Sequence, residues 1–191
     1  MNCVGVLAVV GSKTLDRKGI KRSERERMTI DEQEGRLLFV SHEVSLIKGA
    51  DVKRSELPEA LNLEALVGVD AGKLCAKMGI EFHELTAEHS IATMPVEGNT
   101  QSFGILHGGA YVVLGESMGS ISSNIHAAGR GIAVGIEINA THTGSAKSGY
   151  VIAECTALHL GRTLATHEIV CRDEEGRRLS TVRITNIIKT A

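Results

Sequence analysis

The chain has 191 residues, 42% hydrophobic and 23% charged, which suits one globular domain with room for a sizeable core. A formal charge of −2 leaves no surplus of Lys and Arg for phosphates, and 3% aromatics without Trp offer no base-stacking surface, so no nucleic-acid partner is expected. Cys3, Cys75, Cys155 and Cys171 form no C-x-x-C pair and no zinc-ligand spacing with histidine, which predicts ordinary thiols in a reducing, cytoplasmic compartment and no metal site.

No apolar run approaches the ~20 residues of a membrane span, so no membrane partner is expected. The apolar segment at 4–10 has neither a basic lead nor a small-residue cleavage site, which argues against a signal peptide. Residues 1–58 read as a charged N-terminal extension, poorly ordered or partly helical, that includes the apolar patch LLFVSHEVSLI. Met28 is an alternative start within it. Residues 59–191 read as the folded domain.

Within that domain LPEALNLEALVG predicts a helix, with Pro58 in its first turn and Gly68 as its stop. A second short helix is expected from Gly72 to Gly79, then one long strand over 80–94 that Pro95 closes. A long helix follows from Gly108 to about His126. Ala110, Leu114, Met118, Ile121 and Ile125 recur on one of its faces at 3.6 residues per turn. Glu116 and Ser120 fall on the opposite face, and Gly115 and Gly119 would admit another segment closely.

Ile132, Val134, Ile136 and Ile138 alternate as a half-buried strand should. Three more strands are expected at 149–160, 163–172 and 178–189, separated by TGSAKSG, LGR and DEEG. Connections this short demand antiparallel neighbours. The order is helix, strand, helix, four strands: an α+β domain.

The segment MPVEGNTQSFGILHGGAYVVLGESMGS at 94–120 concentrates the chemistry. A helix N-terminus presents unpaired N–H groups and the positive end of a dipole, so it can hold an anion or a developing oxyanion. Glu116 on that helix is either a solvated carboxylate or a base or nucleophile for an activated acyl group. His107 is either a cap or a site residue, and Ser120 either a ligand of substrate or water or a serine bonded to its own helix carbonyl. His83, His89, His159 and His167 read as strand residues, and His126 as a helix-end residue suited to the dipole. Neither a G-x-S-x-G elbow nor a dinucleotide or P-loop glycine motif is present.

The motifs TQSFGILHGGA and ESMGS, with GIEINATH at 135–142, HLGRT at 159–163 and RDEEGRRL at 172–179, resemble the hotdog-fold thioesterases. The subfamily resembled acts on phenylacetyl-CoA and 1,4-dihydroxy-2-naphthoyl-CoA and proofreads enterobactin synthesis, and the resemblance spans roughly 60–189. It implies an antiparallel sheet wrapped around the long helix. It implies Glu116 as base or nucleophile, and a Gly108 N–H, beside His107, that polarises the thioester carbonyl. Gln101 would orient the thioester or water. Gly109, Ser120 and His142 would bind substrate, and Arg162 or Lys147 would meet the CoA phosphates.

The resemblance further implies a homotetramer, a dimer of dimers with sites between subunits. CoA enters only as part of the acyl-CoA substrate, and no cofactor is implied. Two departures stand out: Ser102 where the family usually has proline, and THTGSAKSG where relatives often carry H-x-R. Two rival readings are a non-catalytic acyl-CoA sensor and a hydratase of the same fold. A sensor needs no base, and the loop shows no Asp/His pair for a hydratase.

Overall fold

The computed structural model describes residues 53–64 and 70–190. The readings made for residues 1–52, Met28 and LLFVSHEVSLI among them, lie outside the described residues. Six antiparallel strands form one sheet: β1 (Glu81–Leu85), β2 (His89–Pro95), β3 (Gly131–His142), β4 (Tyr150–Leu160), β5 (Leu164–Arg172) and β6 (Arg178–Thr190). Their spatial order is β1-β2-β4-β5-β6-β3, so β1 and β3 are the edges. A short helix α1 (Lys73–Met78) precedes β1, and the long helix α2 (Gly108–Ala127) lies across the inner face of the sheet. The hotdog architecture is thus present. No helix among the described residues is long and apolar enough to cross a membrane.

Helix α2 seats itself by its stripe. Ala110, Leu114 and Met118 are buried against Met94, Ile169, Val182 and Ile184, with Ile121 and Ile125 partly buried at the margin. The close approach that Gly115 and Gly119 permit is made by β6. A Cβ on Gly115 would stand 2.6 Å from Val182 Cγ1, and one on Gly119 would run into Ile184. The sheet wraps the helix tightly because two helix positions carry no side chain.

Three expectations need correction. The stretch 80–94 is a hairpin of two strands, β1 and β2. Its turn uses no glycine or proline: Thr86 Oγ1 accepts from the N–H groups of Glu88 (3.2 Å) and His89 (2.9 Å) and donates to His89 O (2.7 Å). A hydroxyl standing in for a backbone turn reverses the chain without the usual punctuation. There are therefore two strands, not one, before α2.

The helix expected from Pro58 does not begin there. Leu63 and Glu64 are helical, and residues 65–69 lie outside the described residues. Pro58 O accepts from His83 Nδ1 (2.8 Å) and Leu61 N–H donates to Phe82 O (2.6 Å), so β1 ties down this stretch. Just before it, Leu57 packs on Ile91 and Ile152, and the Arg54 guanidinium lies 3.7 Å over the Tyr150 ring.

Strand β3 does not bury Ile132, Val134 or Ile136. Ile132 and Ile136 are 59% and 57% exposed and Val134 38%, while Ala133 is the buried member. The alternation is real, but its apolar side faces away from the helix, on an edge strand. A bulge between Gly135 and Glu137 then re-aims the strand, so Ile138 and Ala140 pack on the core.

Candidate active site

The N-terminus of α2 is capped by His107, whose Nδ1 accepts from Gly109 N–H at 2.8 Å. The next orphan donor of the helix, Gly108 N–H, has no hydrogen-bond partner among the described residues. His142 crosses from the end of β3 to this point. Its Nε2 lies 3.0 Å from where a Cβ on Gly108 would sit, its Nδ1 is 2.9 Å from Ser180 Oγ, and its ring is 5.3 Å from that of Tyr111. The fold thus joins His107, Gly108, Gly109 and His142 at one end of α2.

The loop before the helix is held by backbone bonds and by the Asn99 side chain. Asn99 Nδ2 donates to Met78 O and Pro95 O, both at 2.9 Å, while Asn99 O accepts from His107 N–H at 3.0 Å. Gln101 N–H donates to Ile105 O (2.8 Å) and Gln101 O accepts from Gly104 N–H (2.9 Å), with Gly104 at φ 69°. These bonds hold the Gln101 backbone although Ser102 replaces the usual proline. Leu106 N–H reaches Ala146 O (2.8 Å), which brings the loop carrying Lys147 alongside.

Glu116 is half-buried on α2 against the bulge of β3. A Cβ on Gly135 would stand 2.8 Å from its Oε1. Ser120 does not bond back to its helix carbonyl, as Ser117 does to Val113 O at 2.8 Å. Its hydroxyl lies 3.4 Å from Glu116 Oε1 and 3.3 Å from Asn186 Oδ1. Glu116 and Gly108 are eight positions apart on one helix, so about 12 Å separates them along its axis. In a single chain the acid and the Gly108 end of the helix therefore stand apart.

Arg162 stands apart from both. It sits in the turn after β4, beside Gly161, whose carbonyl accepts from His126 Nε2 (2.8 Å) at the far end of α2. Burial pushes the Cys155 and Cys171 thiols up to about 12, so neither is a thiolate nucleophile at neutral pH. Sequence reasoning missed Asn99, Gly135 and Asn186. The signals were present but weak: an Asn just after the strand-closing proline, a Gly inside a strand pattern, and a lone Asn among apolar strand residues.

A profile of the thioesterase superfamily matches residues 103–180. The 1,4-dihydroxy-2-naphthoyl-CoA hydrolase of Escherichia coli (strain K12) is 41% identical over 129 residues, covering 67% of this chain and 95% of that protein. The proofreading thioesterase EntH of Klebsiella pneumoniae is 42% identical over 125 residues, 65% of this chain and 91% of its own. Among solved structures, a mutant of thioesterase PA1618 from Pseudomonas aeruginosa superposes with a TM-score of 0.63 at 34% identity, covering 71% of this chain and 99% of that one. With a relative this similar matched over nearly its full length, and with the hotdog sheet and helix in place, the chain belongs to the thioesterase superfamily and is a thioester hydrolase.

Proposed function

We propose that the chain hydrolyses acyl-CoA thioesters with an aromatic acyl group, at a site completed between two copies of itself. The observation that carries this reading is the spacing of Glu116 and Gly108, about 12 Å apart along one helix. That is too far for both to act on one carbonyl of one chain. Glu116 also lies against β3, an edge strand with exposed Ile132, Val134 and Ile136. A second copy paired across this edge would cover those side chains and bring its own Gln101–Gly108 loop toward Glu116. Such dimers would pair again into a homotetramer.

In this site the thioester carbonyl accepts from Gly108 N–H, where the helix dipole favours the developing oxyanion. The Gln101 amide orients the thioester or water. Glu116 either removes a proton from the attacking water or attacks the carbonyl to form an anhydride that water then opens. In both routes the C–S bond breaks, CoA leaves as its thiolate and the acyl group ends as the free acid. The aromatic preference rests on likeness to the naphthoyl-CoA hydrolase. Exposed Lys147, beside the loop, is better placed than Arg162 to meet CoA phosphates near Gly108.

The test has two parts. Hydrolysis of benzoyl-, phenylacetyl-, dihydroxynaphthoyl- and medium-chain acyl-CoAs is expected to favour the aromatic thioesters. Co-expression of Glu116→Gln with Gln101→Ala should restore activity that neither variant shows alone, because mixed dimers hold one intact site. Roughly a quarter of wild-type activity is expected for random pairing. Absence of recovery in verified mixed dimers rejects the shared site.

A further inference from the structure

Glu116 does not end at Ser120. Behind it runs a line of polar side chains through the core, between α2 and the sheet. Ser120 Oγ is 3.3 Å from Asn186 Oδ1, and Asn186 Nδ2 is 3.1 Å from Ser123 Oγ. Ser123 Oγ is 3.3 Å from His167 Nδ1, and His167 Nε2 is 2.8 Å from Ala87 O. Ser123, His167 and Asn186 are fully buried, so each of these bonds replaces water the group has lost.

The direction of every donor follows from the far end. Ala87 O only accepts, so His167 Nε2 carries the hydrogen. Burial holds the His167 ring neutral, its pKa lowered, and Nδ1 is then an acceptor. Ser123 therefore donates to His167, and its lone pairs accept from Asn186 Nδ2. With its amide nitrogen committed, Asn186 turns its Oδ1 to Ser120. Ser120 has one hydrogen and two acceptors in range, Asn186 Oδ1 at 3.3 Å and Glu116 Oε1 at 3.4 Å.

We propose that Asn186 is a positioning residue for hydrolysis, acting on Glu116 through Ser120. It fixes where Ser120 Oγ sits beside the carboxylate and competes for the hydroxyl hydrogen. That competition leaves Glu116 Oε1 freer to take a proton or attack a carbonyl. If Glu116 takes the proton of the attacking water, the acid O–H can donate to Ser120, and the Ser120 hydrogen passes wholly to Asn186. The line of bonds is then complete, with no acceptor in conflict. Both Ser120 contacts are long, as contacts around a catalytic group often are before substrate arrives.

This inference rests on the catalytic reading of Glu116, and the test separates the two. Glu116→Gln reports on that reading alone: if it keeps near wild-type activity, the reading of Glu116 is what fails. Asn186→Leu, branched alike but bulkier, removes the acceptor that faces Ser120. In the full-length protein, with phenylacetyl-CoA as the probe, kcat is expected to fall roughly 10- to 100-fold with KM within about twofold. Placed on Ser120→Ala, the same substitution should cost nothing further, because its effect travels through that hydroxyl. A residue that merely supports the core would impose the same penalty in both backgrounds. Equal penalties, or a kcat within twofold of wild type, overturn the proposal. Should Asn186→Leu not fold, Ser123→Ala frees the Asn186 amide and is read by the same criteria.

Discussion

Gly115 of α2 and Val182 of β6 are in closer contact than any pair of residues with side chains could be. A Cβ on the glycine would fall 2.6 Å from Val182 Cγ1 and 2.9 Å from its Cβ. Two effects oppose each other in Gly115→Ala. Alanine favours the helix by about 1 kcal/mol. Overpacking against a rigid β-branched partner costs about 1–3 kcal/mol, and the helix must lift to relieve it. Overpacking should win: we expect a lower Tm in thermal denaturation and a loss of activity, since Glu116 is the next residue. An unchanged or raised Tm would mean the helix yields without cost.

Glu116→Gln should leave fold and assembly intact while lowering kcat by at least ~10³, the scale of losing a base or nucleophile. The amide keeps the shape of the carboxylate beside Gly135 but can neither take a proton at neutral pH nor attack. Activity within tenfold of wild type, with unchanged circular dichroism, would remove Glu116 from the chemistry.

Substitution can separate the capping function of His107 from a role at the thioester. Its Nδ1 caps α2 through Gly109 N–H. His107→Ala should cost about 1 kcal/mol from the lost cap, and His107→Asn, a preferred cap, should recover most of it. If the imidazole also lies at the thioester, both variants lose activity alike. Urea denaturation beside steady-state kinetics separates the two. Full activity in the Asn variant would reduce His107 to a cap.

His89 links β1, β2 and β4 as a cation between two carboxylates, Glu84 Oε1 at 2.8 Å and Glu154 Oε1 at 3.1 Å. The hydrogen bonds to Glu154 and then Glu84 raise its pKa to about 9 against the opposing effect of burial. A raised folded pKa stabilises fully below the unfolded value near 6.5, and the contribution is lost as pH rises through about 9. Wild-type stability should therefore fall between about pH 7 and pH 10, on the order of 2 kcal/mol from this group. His89→Gln should be less stable at pH 6 and flatter across that range. Parallel stability profiles for the two proteins would show that His89 carries no charge in the fold.

What could be read in advance follows the range of the forces involved. Helix α2 and strands β4 to β6 were legible because burial imposes a local period on Leu114, Met118 and their like. The β1–β2 reversal was not, because Thr86 makes the turn with a side chain where a glycine or proline would have announced it. The outward face of Ile132 and Val134 was hidden for another reason: edge position is decided by β6 pairing with β3, and their partners Lys189 and Ile187 lie far away in sequence. At the site, Glu116 and the His107–Gly108 end were visible through the family resemblance. Asn186 was not, since its meaning depends on Ser120 and Ser123 facing it from α2.

The bulge in β3 has an effect on how freely this strand can change. Gly135 offers Glu116 the space of one missing methyl group, and the bulge that follows it sets which residue of the strand faces the acid. A one-residue deletion before Gly135 that absorbed the bulge would preserve the ladder of β3 with β6 yet swap the faces between the cut and the bulge, so that Ile136 rather than Gly135 faced the acid. Sheet stability and placement of the acid are therefore separable in this strand. Variants selected only for folding would accumulate straightened forms of β3 that keep their structure and lose their reaction.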